Sequence, residues 1–292
     1  APIAGVLICA VVLLGSFHRV ERVLLVISST LALYIVDGIL AAPDWSEVWH
    51  NSIVPHMPVN ELGWIAIAAA LGTTLAPWGL AFIQSYAVDK KITVADLHWE
   101  RVDVVIGSLL TGVIGLAIAV ACAATLNRAG IHIEDAADVA EALRPLAGSF
   151  ATTLFGAGLL GASLLAAAIV PLATSYSIAE GIGAPASLDL DSHHFQYFYA
   201  AFVGLSVAAV SVVSLPGLPL IPLIYTSQVV NAVMLPLHVI ALQLLARDRS
   251  VMGDAASGNK TQIAGWISIV LIMACVAALM VSWINTWFGS SV

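Results

Sequence analysis

Residues 62–88 read LGWIAIAAALGTTLAPWGLAFIQSYAV, apolar almost throughout and with no charged side chain. A run of about 20 apolar residues, wound as a helix, matches a bilayer core ~30 Å thick. Only helices and closed barrels satisfy their backbone in lipid. The segment is not a ten-residue alternating strand, so it reads as a helix. Pro77 sits in its middle, between Gly72-Thr73-Thr74-Leu75-Ala76 and Trp78-Gly79. A mid-helix proline removes one backbone hydrogen bond and crowds the preceding turn, at ~3 kcal/mol or more. With two glycines and two threonines beside it, the proline predicts a helix interrupted at mid-membrane depth. In secondary transporters such breaks free carbonyls and half-helix dipoles to hold substrate or ions. A simple kink, re-satisfied by a neighbouring helix, fits the residues equally well.

The same block pattern repeats along the chain, at residues 1–16, 23–42, 62–88, 104–126, 150–177, 195–213, 220–245 and 263–287. This predicts an all-α membrane protein of about eight transmembrane helices, forming one transmembrane domain over residues 1–292. Of the 292 residues, 60% are hydrophobic and 10% charged, against ~25% charged in a soluble domain. Mean hydropathy is +0.99. So few charges cannot cover a water-facing surface. The net charge of −8 comes from acids in connecting loops, so it implies neither a basic partner nor nucleic acid. Trp45, Trp49, Trp64, Trp99, Tyr197, Trp266, Trp283 and Trp287 lie near span ends, as interfacial aromatic belts do.

Arg19, Arg22, Lys90, Lys91, Arg101, Arg247, Arg249 and Lys260 fall in one set of alternate loops; only Arg128 and Arg144 fall in the other. The positive-inside rule makes the first set cytoplasmic, which puts both chain ends outside a multi-pass cell-membrane protein. The loop 179–194 is assigned inside although it carries no Lys or Arg. The first block has no basic n-region, so it does not read as a signal peptide. Ala1 is not a start methionine, and the chain is expected to begin inside a longer protein. Ala136, Val139, Ala140 and Leu143 follow a helical period before Pro145, which predicts a short surface helix on the outer interface.

Other polar features are sparse. Gln228 and Asn231 lie one turn apart in an apolar span, so they share a face. They either coordinate an ion or hydrogen-bond another helix. Asp37 lies within a span, where a central carboxylate costs ~2.5–3.5 kcal/mol on insertion scales. It is expected in a wet cavity or close to the interface. Gly156-Ala157-Gly158-Leu159-Leu160-Gly161 fits the letter of a dinucleotide motif. No strand precedes it, so close helix packing explains it better. Cys9, Cys122 and Cys275 are far apart and suggest neither a metal knuckle nor a disulfide framework. The histidines show no ligand spacing on a helix, and no nucleophile–base motif appears. An enzyme is disfavoured, and no cofactor is expected.

The order of these features resembles the natural resistance-associated macrophage protein (Nramp) family of divalent metal transporters. Val20-Glu21-Arg22 and Tyr34-Ile35-Val36-Asp37 look like the family's fourth-to-fifth helix region. Residues 72–85 look like its sixth helix, and Leu154-Phe155-Gly156-Ala157-Gly158-Leu159-Leu160 like its eighth. Ser227-Gln228-Val229-Val230 with Leu235-Pro236 looks like its tenth. The likeness covers essentially the whole chain, from the family's fourth helix to its eleventh. It implies a leucine-transporter-like fold of inverted repeats, with the N-terminal part missing, and an ion site between broken first and sixth helices.

Several departures sharpen the reading. The family's first-helix Asp-Pro-Gly-x-Asn signature is absent, so half of the implied site is not in this chain. The family's Met-Pro-His is here Ala76-Pro77-Trp78, and its second helix-six histidine aligns with Ile83. The expected helix-nine arginines are missing from residues 195–213. Losing the thioether favours hard ions such as Mg²⁺ or Mn²⁺ over softer transition metals. The pattern resembles the Nramp-related magnesium transporter branch, whose members carry Mg²⁺ and Mn²⁺ without proton coupling. The resemblance implies that the Thr73 carbonyl faces the ion. Ala76, at the sulfur position, lines the cavity, and Gln228 approaches the occluded ion. Asn231 is added because it shares a face with Gln228. Gly72, Thr74, Pro77 and Trp78 complete the broken helix and its cavity.

The expected function is inward transport of Mg²⁺ and Mn²⁺ by alternating access, by a monomeric protein whose partners are the ion and the bilayer. Proton-coupled Mn²⁺/Fe²⁺ transport is the alternative within the family. Other classes are an amino-acid transporter of the same fold and a membrane scaffold without transport.

Overall fold

The structure is a computed structural model. It describes the backbone of residues 2–14, 17–54, 61–124, 136–188 and 196–289, and side chains at 2–13, 18–54, 63–124, 150, 152–188 and 197–281. Among these residues every regular element is a helix and none is a strand. In chain order they are α1 (Pro2–Leu14), α2 (Phe17–Ser29), α3 (Leu33–Leu40), α4 (Trp45–Ile53), α5 (Glu61–Thr74), α6 (Pro77–Asp89) and α7 (Leu97–Cys122). After these come α8 (Ala136–Gly181), α9 (Gln196–Val213), α10 (Leu220–Arg247), α11 (Arg249–Met252) and α12 (Asn259–Gly289). Single 3₁₀ turns at Thr30–Ala32, Val94–Asp96 and Gly253–Ala255 join α2 to α3, lead into α7 and precede α12.

Among the described residues, six helical segments are long and apolar enough to cross a membrane: His18–Leu40, Gly63–Asp89, Val94–Cys122, Thr152–Gly181, Leu220–Arg247 and Asn259–Val281. The shorter apolar helices Pro2–Leu13 and Tyr197–Val213 fall on the first and sixth predicted spans. Among the described residues, helix covers most of each of the eight predicted spans, six of them at full crossing length. Edges move in places. The second and fourth spans begin several residues earlier than expected, because the polar turns ahead of them join the helix. The surface helix expected at residues 136–143 is not separate: α8 runs unbroken from Ala136 to Gly181, through both Pro145 and Pro171.

Local signals set several ends. Asp44 caps α4 by accepting from the amides of Ser46 at 2.9 Å and Glu47 at 3.3 Å. Thr93 and Asp96 form a reciprocal capping box ahead of α7. Lys91, at φ 58°, closes α6. Its own amide donates to the Val88 carbonyl and that of Ile92 to the Ala87 carbonyl, a Schellman end.

The chain divides into two compact units. The first comprises Ala1–Pro55 and Phe82–Ile221, the second His56–Ala81 and Pro222–Val292. In the first, α8 packs against α1, α2, α3 and α9. Val12, Val20, Leu172, Tyr176, Phe198 and Phe202 are almost fully buried in its main core. A smaller cluster centres on Tyr34 and Phe155, whose rings meet edge-on at 5.2 Å. The glycines of α8 allow these approaches. A Cβ at Gly158 would lie 2.9 Å from the Tyr34 ring, and one at Gly161 would strike the Thr30 hydroxyl. The Gly-x-x-Gly spacing therefore serves helix packing. In the second unit, α5 packs along α12. Ala68, Ala69, Val229, Ala232 and Leu279 form its core. Gln243 and Gln262 tie α10 to α12, with Gln243 Nε2 donating to the Gln262 carbonyl at 2.8 Å and to its Oε1 at 2.9 Å.

Candidate functional site

The break falls where the proline predicts it. Helix α5 ends at Thr74 and α6 starts at Pro77, leaving Leu75 and Ala76 between them. The Leu75 amide still donates to the Leu71 carbonyl at 3.0 Å. Pro77 has no N–H, so the Thr73 carbonyl has no donor four residues on. The ladder resumes when the amides of Gly79 and Leu80 both donate to the Ala76 carbonyl, at 3.0 and 3.3 Å. Proline suits the first helical position, where its amide would be unpaired in any case. Thr74 turns its hydroxyl back onto the Ala70 carbonyl at 2.7 Å. Gly72 and Pro77 are buried, Ala76 and Trp78 half-buried, and Thr73 and Thr74 exposed.

One contact joins this break to α10 within the second unit. A Cβ on Gly72 would land on the Gln228 carbonyl oxygen and 2.8 Å from the Ala232 amide nitrogen. The two backbones touch there, and only glycine permits that approach. Of the residues singled out from the sequence, Gly72 and Gln228 are therefore brought side by side at backbone level. Asn231 joins them: its Nδ2 donates to Gln228 Oε1 at 3.2 Å. Gln228 Nε2 donates to Ser227 Oγ at 3.4 Å, and Ser227 Oγ donates to the Ile224 carbonyl at 2.7 Å. Both amide side chains are half-buried. Pro236, by contrast, lies inside an unbroken α10.

The far end of α6 is held differently, within the first unit. Ser85 Oγ donates to Glu180 at 2.7 Å, and the Tyr86 hydroxyl to Glu21 at 2.9 Å. Asp89 accepts from the Tyr176 hydroxyl and from the Leu188 amide at 3.0 Å. Just beyond, Lys90 pairs with Glu100 at 3.2 Å. Burial works against the Lys90 charge, but its bond to Glu100 and the neighbouring Tyr86 and Glu21 outweigh that, so its pKa stands above the ordinary lysine value. Sequence reasoning missed this cluster, because polar residues at a span end look like ordinary interface residues. The available signal was Ser85, Tyr86 and Asp89 on one face. Asp37, within its span, is buried. It is only 1% exposed, and among the described residues neither carboxylate oxygen has a hydrogen-bond partner. Protein encloses its side chain. Among the described residues no group of three His, Cys, Asp or Glu side chains is arranged to hold a metal. His56, His132, His193 and His194 lie outside them.

Fold and site together define a polytopic α-helical membrane protein in which one membrane helix is broken and its break packs against a neighbouring helix bearing two amides. Residues 1–282 match the natural resistance-associated macrophage protein-like family, and the chain belongs to that Nramp family. It is similar to three proteins named divalent metal cation transporter MntH. One, from Clostridium acetobutylicum, is 23% identical over 247 residues, covering 82% of this chain and 54% of the relative. The Aeromonas hydrophila protein is 26% identical over 260 residues, covering 87% and 60%. That of Caldanaerobacter subterraneus subsp. tengcongensis is 25% identical over 283 residues, covering 94% and 64%. The chain thus spans between about half and two thirds of the length of these relatives.

Proposed function

We propose that the protein is a secondary transporter that imports divalent cations across the cell membrane by alternating access, with Mg²⁺ and Mn²⁺ as substrates and no obligatory proton coupling. The observation that carries this reading is the helix broken at Leu75–Ala76, with Gly72 seated on the Gln228 carbonyl, in a chain of the Nramp family. The relatives' printed names support divalent cations as the cargo. The donors nearest the break support hard ions. They are the Thr73 carbonyl, which has no amide four residues on to bond it, and the Gln228 amide oxygen, while Ala76 offers no sulfur. Mg²⁺ takes oxygen ligands and sheds water reluctantly. A small Ala76 side chain takes up less space than a methionine there would, which suits an ion that keeps part of its shell. Both chain ends lie outside in this reading, the functional unit is a monomer, and no chemical catalysis is involved.

The test is uptake of Mg²⁺ and of Mn²⁺ into liposomes carrying a trapped pH indicator. Uptake of both ions with constant internal pH supports the proposal. Acidification in step with ion entry replaces it with proton-coupled Mn²⁺/Fe²⁺ transport. No flux of either ion leaves amino-acid transport or a scaffold role.

A further inference from the structure

Gln228, whose backbone meets the broken helix at Gly72, carries an amide oxygen that suits a cation, yet a free glutamine samples many rotamers. Here it is held at both ends of its amide. Its Oε1 accepts from Asn231 Nδ2 and its Nε2 donates to Ser227 Oγ, which is itself tied to the Ile224 carbonyl. The run Asn231, Gln228, Ser227, Ile224 is a single relay along one face of α10. The Gln228 backbone is fixed too, by the Gly72 contact.

From this we infer that Asn231 is a positioning residue: it holds the Gln228 amide in one orientation through Oε1 and is not itself a ligand. The inference rests on the ion-site reading above and deepens it. A carbonyl oxygen has two lone pairs, so Oε1 can accept from Asn231 and still face an ion or its bound water. Asn231 has committed its donor arm to that oxygen. Its own Oδ1 lies on the other arm of the planar amide, and the edge it presents toward Gln228 carries partial positive charge. That edge repels a cation but orders the oxygen that binds one. Such fixing matters most for a partly hydrated ion, because its water shell must be matched by oriented oxygens and not by a charge.

The test uses calorimetry of Mg²⁺ binding to the purified protein, with thermal unfolding as the folding control. Asn231→Asp keeps the shape, adds a negative charge and removes the N–H donor. Positioning predicts that it weakens Mg²⁺ binding about fivefold, one lost hydrogen bond's worth. A direct ligand role predicts that the added charge tightens binding, and that result overturns the inference. Asn231→Leu should weaken binding similarly in the wild-type background and add nothing to Gln228→Leu, since a residue acting through another shows no separate effect in a double-mutant cycle. Additive losses overturn positioning, as does a lowered unfolding temperature with unchanged affinity. If the wild-type protein binds no Mg²⁺, the ion-site reading fails and takes this inference with it. If it binds Mg²⁺ but Asn231→Asp binds more tightly, only this inference fails.

Discussion

The two halves of the broken helix are anchored by different physics. Helix α5 is held by dispersion and close approach: Ala68, Ala69 and Gly72 lie against α10 and α12, around Leu279. The last two turns of α6 are held by directional bonds, through Ser85, Tyr86 and Asp89 to Glu180, Glu21, Tyr176 and the Leu188 amide. Close packing is short-ranged and tolerates no added atoms. Directional bonds tolerate small shape changes but fail when a donor or acceptor is removed.

Mutations should separate the two kinds of anchor. The largest effect is expected at Leu279, which is fully buried. Leu279→Ala opens a cavity beside α5 and should cost ~2–5 kcal/mol, read as a lowered unfolding temperature in detergent. Asp89→Ala strips the Tyr176 hydroxyl and the Leu188 amide of their acceptor and should cost ~1.5–3 kcal/mol. Gly72→Ala should cost ~1–3 kcal/mol, because the new methyl meets backbone that cannot move aside as a side chain would. It should also abolish Mg²⁺ binding if α5 must touch α10, and retained affinity would break the link between packing and site. Ser85→Ala should cost only ~0.5–1.5 kcal/mol, since exposed Glu180 can turn to water. The smallest effect concerns Lys90. Its folded pKa is raised, so the Glu100 pair contributes fully below the ordinary lysine value. That contribution fades as pH rises through the higher folded value. The pair is partly exposed, so Lys90→Met should lower the unfolding temperature only slightly at neutral pH. That difference should vanish at the alkaline end.

Much of this arrangement was legible in the residues. Long apolar blocks dictate helices because lipid leaves the backbone no other partner. Pro77 was readable as a break because Gly72, two threonines and Gly79 surround it with poor helix formers. Pro236 lies in a segment without glycine, and α10 carries it unbroken. Proline alone was therefore not the signal. Gln228 and Asn231 were readable as one face of a helix from their spacing. What could not be read was which backbone meets them. The Gly72 contact is a long-range approach that no local pattern encodes. Nor does spacing reveal that Asp37 finds no hydrogen-bond partner among the described residues, or that Asp89 accepts from a tyrosine and a loop amide distant in sequence.

The proposed site for a hard divalent cation joins the break at Leu75–Ala76 to the Gln228 amide. Calorimetric titration of Mg²⁺ into wild-type protein and into Gln228→Leu tests it most directly. The account predicts saturable Mg²⁺ binding by the wild type and affinity at least about tenfold weaker in the variant, with the unfolding temperature little changed. Equal affinity in the two proteins would contradict it.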